Sequence, residues 1–315
     1  MTASTLALLF PGQGSQAPGM GRSLAAPHAA AREAFAEADE ALGFELERLM
    51  FEGPLDELTR TENAQPALLA HGVAVARVLA LGGTQPAAAA GHSLGELTAL
   101  VVAGALGFGD GLRIVRRRGE LMAEAGRSRP GTMAAVLGLS DREVEAACAE
   151  AADGGVVVAA NLNAPGQVVI SGDPAAVARA GELARERGAR RVVPLQVSGA
   201  FHSPLMAPAA DGLRAALEGV ALGEPRIPVV SNVTARATSS ADEVRRRLVE
   251  QLTSPVRWHE SLLQLVALGC IDFVECGPGR VLTGLARRVA GVRSCAAVGE
   301  AADAEALAGE GPGRA

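Results

Sequence analysis

The chain has 315 residues, a formal net charge of −6 and 20% charged residues, with 49% hydrophobic and only 3% aromatic side chains. That length suffices for one large domain or two smaller ones around a sizeable core. The negative balance and the shortage of stacking side chains argue against a nucleic-acid surface.

In chain order, Leu6 to Phe10 is an apolar run stopped by Pro11-Gly12 and reads as a buried strand. Gly12-Gln13-Gly14-Ser15-Gln16-Ala17 then fits a relaxed dinucleotide fingerprint. No second strand follows where the ribose-binding acid belongs. The loop reads better as one that brings Gln13 close to another backbone. Ala29 to Leu42 is a helix, and Glu45 to Leu58 is a set of short helical pieces broken at Gly53-Pro54. Ala67 to Leu81 is a buried helix capped by Thr61 to Pro66, with His71 as a core histidine.

Four alanines, Ala87 to Ala90, precede Gly91-His92-Ser93-Leu94-Gly95, and a helical pattern follows. Strand, sharp turn and helix form the context of a nucleophile elbow, with Ser93 at the turn and the Leu94 amide aimed at a developing oxyanion. Asp110 to Ala125 is a helix carrying Arg113, Arg116, Arg117 and Arg118. Most of these are solvated charges. One facing inward would cost several kcal/mol unless paired, so a buried arginine here implies an anionic partner.

Gly126 to Gly131 reads as a linker. Beyond it, Thr132–Leu139, Asp141–Ala152, Val156–Asn161, Gln167–Ser171, Pro174–Gly188 (capped by Asp173) and Arg191–Val197 give the order β-α-β-β-α-β. That is a split ferredoxin-like unit, inserted with its two ends side by side. The chain then returns through the loop Ser198 to Pro204, a helix from Leu205 to Leu217 and a short strand from Pro228 to Asn232. Helices over Asp242–Leu252 and Val256–Leu268, a strand over Ile271–Glu275 and a helix over Val281–Val289 complete the alternation. The fold class is therefore α/β, a hydrolase-like parallel-sheet body with an inserted ferredoxin-like subdomain. The body spans 1–128 and 199–300, the insert 129–198, and 301–315 reads as a disordered tail.

The four cysteines, Cys148, Cys270, Cys276 and Cys295, have neither C-x-x-C nor zinc-finger spacing and read as structural thiols of a reducing cytosol. A basic leader and a run of about 18 apolar residues are both lacking, which predicts no signal peptide and no membrane span, hence a cytoplasmic location.

A serine nucleophile needs a base. Among the five histidines, His28 and His71 sit in helical segments, His92 points away from Ser93 on a strand-like stretch, and His259 reads as surface. His202, in a Gly- and Pro-flanked loop after a strand, ranks first. No acid between Ser93 and His202 stands out, which strains an ordinary esterase reading.

Six stretches carry a resemblance: Leu9-Phe10-Pro11-Gly12-Gln13-Gly14-Ser15-Gln16, Gly91-His92-Ser93-Leu94-Gly95-Glu96, Arg118-Gly119, Asn161 to Gln167, Gly199 to Met206, and Gln251 to Trp258. In this order, from about Leu6 to about Ala290, the chain resembles the malonyl-CoA:acyl carrier protein transacylases of the fatty acid and polyketide acyltransferase family. The resemblance implies a cofactor-free, metal-free, monomeric enzyme. Its partners would be malonyl-CoA and an acyl carrier protein, the latter docking near the cleft between body and insert through surface arginines. It further implies Ser93 as nucleophile, His202 as base and then acid, and the backbone amides of Gln13 and Leu94 as oxyanion hole. Arg118 would grip the malonyl carboxylate in a bidentate pair, for which arginine is better shaped than lysine. Gln251 would orient His202 through its carbonyl oxygen where a triad acid would stand. Without that acid the imidazole delivers water less well, so Gln251→Asp is expected to raise hydrolysis of the acyl-enzyme. Gln65 and Asn161 would line the pocket, whereas Asn163 reads equally as turn chemistry. Leu94 and Phe201 resemble the malonyl-selecting versions, a phenyl ring crowding an α-methyl branch. The other readings are an acyltransferase loading polyketide carriers in trans, a serine esterase or thioesterase, and a non-catalytic carrier-binding protein.

Overall fold

The computed structural model describes residues 4–310. β1 (Leu6–Phe10) is followed by α1 (Arg22–Ala25), α2 (Ala29–Leu42), α3 (Leu46–Glu52), α4 (Leu55–Thr59) and α5 (Thr61–Leu81). β2 (Ala88–Gly91) leads into α6 (Leu94–Val102) and α7 (Phe108–Ser128). The next stretch is β3 (Thr132–Leu137), α8 (Asp141–Ala151), β4 (Val157–Ala164), β5 (Gln167–Gly172), α9 (Pro174–Glu186) and β6 (Arg191–Pro194). A 3-10 turn (Pro204–Ala209) and α10 (Ala210–Glu218) precede β7 (Val229–Val230), α11 (Ala241–Glu250), α12 (Trp258–Ala267), β8 (Asp272–Cys276), α13 (Val281–Ala286), β9 (Ser294–Val298) and α14 (Ala301–Glu310).

The larger sheet is parallel, in the order β7-β2-β1-β8-β9. Side chains of a strand alternate between faces. Leu8, Phe10 and Ala89 point into a core built on α2, α5, α6 and α7, while Ala7, Leu9, Ala88 and Ala90 meet Trp258, Leu262 and Leu285 on the opposite face. Burial on both sides explains why β1 and β2 read as unbroken apolar runs. α5 is long and apolar enough to cross a membrane, but 78% of that stretch is buried inside the fold, which accounts for its composition. His71 on α5 is buried, with Nε2 against the carbonyl of Gly299 at 2.9 Å and Nδ1 without a partner among the described residues.

The smaller sheet is antiparallel, in the order β4-β5-β3-β6, with α8 and α9 against it and a core of its own around Val136, Val144, Ile170 and Val177. This is the expected βαββαβ unit. The two connections to the body run against each other: a Cβ added at Gly126 would lie 2.4 Å from the Ser198 carbonyl oxygen. β4 is also joined to the body, because Leu162 N donates to Val256 O at 2.9 Å and Val256 N to Ala160 O at 2.8 Å.

Several details differ from expectation: α7 runs through Ser128 into the expected linker, and the helix expected from Leu205 begins as a 3-10 turn. α5 begins at Thr61 and holds Pro66 inside it. Proline cannot donate to the carbonyl four residues back, and Arg116 Nη1 serves the Glu62 oxygen instead, at 3.0 Å. Asp173 precedes α9 but does not cap it; its carboxylate accepts from Val156 N at 2.7 Å and pairs with Arg129 at 3.0 Å. β9 extends the sheet beyond the last expected strand. Residues Ala301–Glu310 form α14 where a disordered tail was expected over 301–315, and 311–315 lie outside the described residues.

Candidate active site

β2 ends at Gly91 and α6 starts at Leu94, so the reversal falls on His92 and Ser93. Ser93 has φ 52° and ψ −108°, a disfavoured conformation that surrounding structure must hold. The two flanking glycines are steric necessities. A Cβ on Gly91 would lie 1.9 Å from the Gly95 carbonyl carbon, and one on Gly95 would lie 2.0 Å from the Phe10 oxygen. Asn232, just after β7, clamps the turn. Its Oδ1 accepts from Ser93 N at 2.7 Å and its Nδ2 donates to Gly91 O at 2.7 Å.

The loop after β6 carries His202, also at positive φ (58°) and only 3% exposed. Its Nε2 lies 2.8 Å from Ser93 Oγ, and its Nδ1 lies 2.9 Å from the backbone oxygen of Gln251. A carbonyl only accepts, so Nδ1 carries the proton and Nε2 is left to accept from the serine hydroxyl. Burial first, and the Arg118 charge second, push the His202 pKa down to about 3. The imidazole is therefore neutral near pH 7, the state a base requires.

The orienting oxygen belongs to the Gln251 main chain, which corrects the reasoning behind Gln251→Asp. The side chain of Gln251 turns elsewhere: Nε2 donates to Glu96 Oε2 at 2.7 Å and Oε1 accepts from Arg118 at 2.9 Å. An aspartate there would leave the His202 contact intact and crowd Glu96 with a second carboxylate. The expectation of faster hydrolysis loses its basis.

Arg118 lies on the inner face of α7, 1% exposed. Nη1 donates to Gln65 Oε1 at 2.7 Å; Nη2 donates to Gln251 Oε1 at 2.9 Å and approaches Ser93 Oγ at 3.3 Å. Nε has no partner among the described residues. Burial lowers its pKa to about 10, and Glu96 opposes that shift, so the guanidinium stays charged.

Gln65, fully buried on α5, thus braces the guanidinium, and its Nε2 faces Gln13 Oε1 at 3.4 Å. Gln13 is held by its side chain, Nε2 donating to Thr61 Oγ1 at 2.9 Å. The loop before it lies against the elbow, since a Cβ on Gly12 would sit 2.6 Å from the His92 carbonyl oxygen. Leu94 opens α6, where an amide has no acceptor in a preceding turn. Phe201 is buried next to His202. Asn161 is not drawn into this hydrogen-bonded group; its Oδ1 is buried without a partner among the described residues. Asn163 does the bonding on β4 instead, with its Oδ1 2.8 Å from His92 Nε2.

Two residues central to the arrangement were missed, Glu96 and Asn232. Glu96 stands in the first turn of a helix, where an acid reads as a solvated charge; the one available signal was its place directly after the Gly-x-Ser-x-Gly turn. The assembled group offers a hydroxyl with a neutral base and one buried cation beside it, at 2.8 and 3.3 Å.

Residues 7–308 match the model of the family described as acyl transferase domain. The chain is 48% identical to the malonyl CoA-acyl carrier protein transacylase of Bacillus subtilis over 287 residues, 91% of this chain and 90% of that protein. The crystal structure of malonyl-CoA:acyl carrier protein transacylase from Xanthomonas oryzae superposes with a TM-score of 0.94 at 49% identity, covering 98% of this chain and 99% of that one. A malonyl-transacylase solved in complex with its type II polyketide acyl carrier protein gives a TM-score of 0.94 at 44% identity, covering 98% and 100%. With a family model spanning nearly its whole length, on an α/β scaffold that converges on Ser93, His202 and Arg118, the chain belongs to the acyl transferase domain family.

Proposed function

We propose that this chain transfers the malonyl group of malonyl-CoA to the phosphopantetheine thiol of an acyl carrier protein, through a malonyl ester on Ser93, supplying extender units for fatty acid synthesis. The observation that carries the reading is the position of Ser93 Oγ, 2.8 Å from His202 Nε2 and 3.3 Å from the buried Arg118 guanidinium. A neutral ester has no use for that cation, whereas a short diacid thioester needs one at its far end.

In the first half-reaction His202 Nε2 takes the hydroxyl proton as Ser93 Oγ attacks the thioester carbonyl. The oxyanion sits between the amides of Gln13 and Leu94, the tetrahedral adduct collapses, and His202 returns the proton to the departing CoA thiolate. In the second, His202 takes the proton of the carrier thiol, the thiolate attacks the ester, and the proton passes back to Ser93. Gln65 and Gln251 hold Arg118 in both. The carrier docks near the boundary between the body and the smaller sheet, so that its thiol reaches Ser93.

Incubation with malonyl-CoA followed by intact-mass and peptide mapping tests the reading. A malonyl adduct on Ser93 that chases onto added carrier protein supports it; an adduct from p-nitrophenyl esters and none from malonyl-CoA refutes it. The complex with a polyketide carrier favours one second reading, loading of polyketide carriers in trans, and rates measured side by side on the two carrier types separate them. Phe201→Ser is expected to raise kcat/KM for methylmalonyl-CoA relative to malonyl-CoA by about 10-fold or more, since one methyl is worth about 1–3 kcal/mol in a tight pocket. An unchanged ratio would remove Phe201 from the account of selectivity.

A further inference from the structure

The transferase reading uses Ser93, His202 and Arg118, yet the three come from different parts of the chain. One carboxylate lies a single residue away from each of them. Glu96 is 2% exposed. Its Oε2 accepts from Asn232 N at 3.0 Å and from Gln251 Nε2 at 2.7 Å. Asn232 in turn holds the Ser93 amide. Gln251 holds the His202 ring by its main-chain oxygen and the Arg118 guanidinium by its side-chain oxygen. Gln251 Nε2 also reaches Ser93 O at 3.1 Å, which closes the circuit below the elbow.

Resting on the transferase reading, we propose that Glu96 is a positioning residue that keeps the serine, the imidazole and the guanidinium in register through Asn232 and Gln251. It touches no substrate. Its carboxylate is the shortest contact and the charged one among three acceptors around Gln251 Nε2, at 2.7 Å against 3.1 and 3.3 Å for Ser93 O and Asn232 Oδ1, and so does most to hold the amide nitrogen there and Oε1 toward Arg118. Reversal of that amide would aim two donors at one another and free the guanidinium to swing. Hydrogen bonds to an ionised acceptor are roughly twice as strong as neutral ones, so the anion fixes the amide more firmly than a neutral group would.

Arg118, from α7, is the charged group whose field reaches Glu96 among the described residues; Asn232, Ser231 and Gln251 at its oxygens are neutral. Burial dominates over all of these and moves the Glu96 pKa up to about 7. Ionisation, and with it the firm hold on Gln251, is therefore gained as pH rises through about 7 and lost below it.

The test compares wild type, Glu96→Gln and Glu96→Ala in single-turnover acylation of Ser93 by malonyl-CoA, read by quench and intact mass from about pH 5.5 to 8.5. Glu96→Ala is expected to lower the maximal acylation rate about 10²-fold, the scale of a 1 Å misplacement, with a much smaller change in the malonyl-CoA concentration for half-maximal rate. Glu96→Gln keeps an oxygen for both donors and is expected to recover to within about 10-fold of wild type, but without the fall in rate below about pH 7. Persistence of that acid limb in Glu96→Gln overturns the proposal, as does a Glu96→Ala rate within about threefold of wild type. Where Glu96→Ala does not fold, the Glu96→Gln profile decides alone. Absence of any adduct in wild type would instead overturn the transferase reading, and this proposal with it.

Discussion

Ser93→Ala is expected to lower malonyl transfer by about 10⁶-fold, the scale seen when a serine nucleophile is removed from a base-assisted site. The reason is specific to this geometry. Among the described residues the one hydrogen-bond partner of His202 Nε2 is Ser93 Oγ, at 2.8 Å. The elbow itself should persist, because its strained backbone is held by Asn232 through main-chain atoms and not by the serine side chain. Thermal melting is thus expected to stay close to wild type while the adduct vanishes from the mass spectrum. A Ser93→Ala protein that still transfers within about 10-fold of wild type would mean that the acyl group travels by a route without a serine ester.

Arg118→Met should separate binding of the diacid from the chemistry. Losing a buried, hydrogen-bonded cation opposite a carboxylate costs about 2–5 kcal/mol, so kcat/KM for malonyl-CoA is expected to fall by about 10²–10³-fold. Acetyl-CoA has no far carboxylate and should lose little. Stability responds as well. With the cation gone, Glu96 keeps its burial and loses the one charge that favours its ionised form, and an uncompensated buried charge is costly. Pairing Arg118→Met with Glu96→Gln removes both charges and is expected to raise the melting temperature above that of Arg118→Met alone. Equal losses for malonyl- and acetyl-CoA would show that Arg118 shapes the site without recognising the diacid.

Much of this site could be read from residue types. The small residues at Gly91 and Gly95 announced a turn that admits no side chain, and the structure supplies the atoms they would strike. That an inward-facing arginine on α7 would need an anion could be stated from the sequence, but that Arg118 is the one facing inward came from the resemblance and not from the helix pattern. Other features escaped for physical reasons. The partner of His202 is a main-chain oxygen, which every residue possesses, so the identity of Gln251 carries no information about that contact. The start of α5 was obscured because the defect that Pro66 creates is repaired by Arg116, 50 residues later. β9, with the sequence Ser-Cys-Ala-Ala-Val, has little of the β-branched signature of a strand and is defined by its register on β8. Glu96 and Asn232 matter through what they touch at sequence separations of 136 and 139 residues, which no local pattern encodes.

The stitching of β4 to Val256 couples two parts that a domain diagram would draw apart. Val256 lies five residues after the oxygen that steers the imidazole, and Arg257 N donates to Asn232 O at 3.0 Å, so a tug on the antiparallel sheet is felt at both the serine clamp and the base. A carrier pressing on that small sheet would, under the proposed reading, lean on Ser93 and His202 through these main-chain bonds. Excising the small sheet to leave a minimal hydrolase would, for the same reason, slacken the ring of His202.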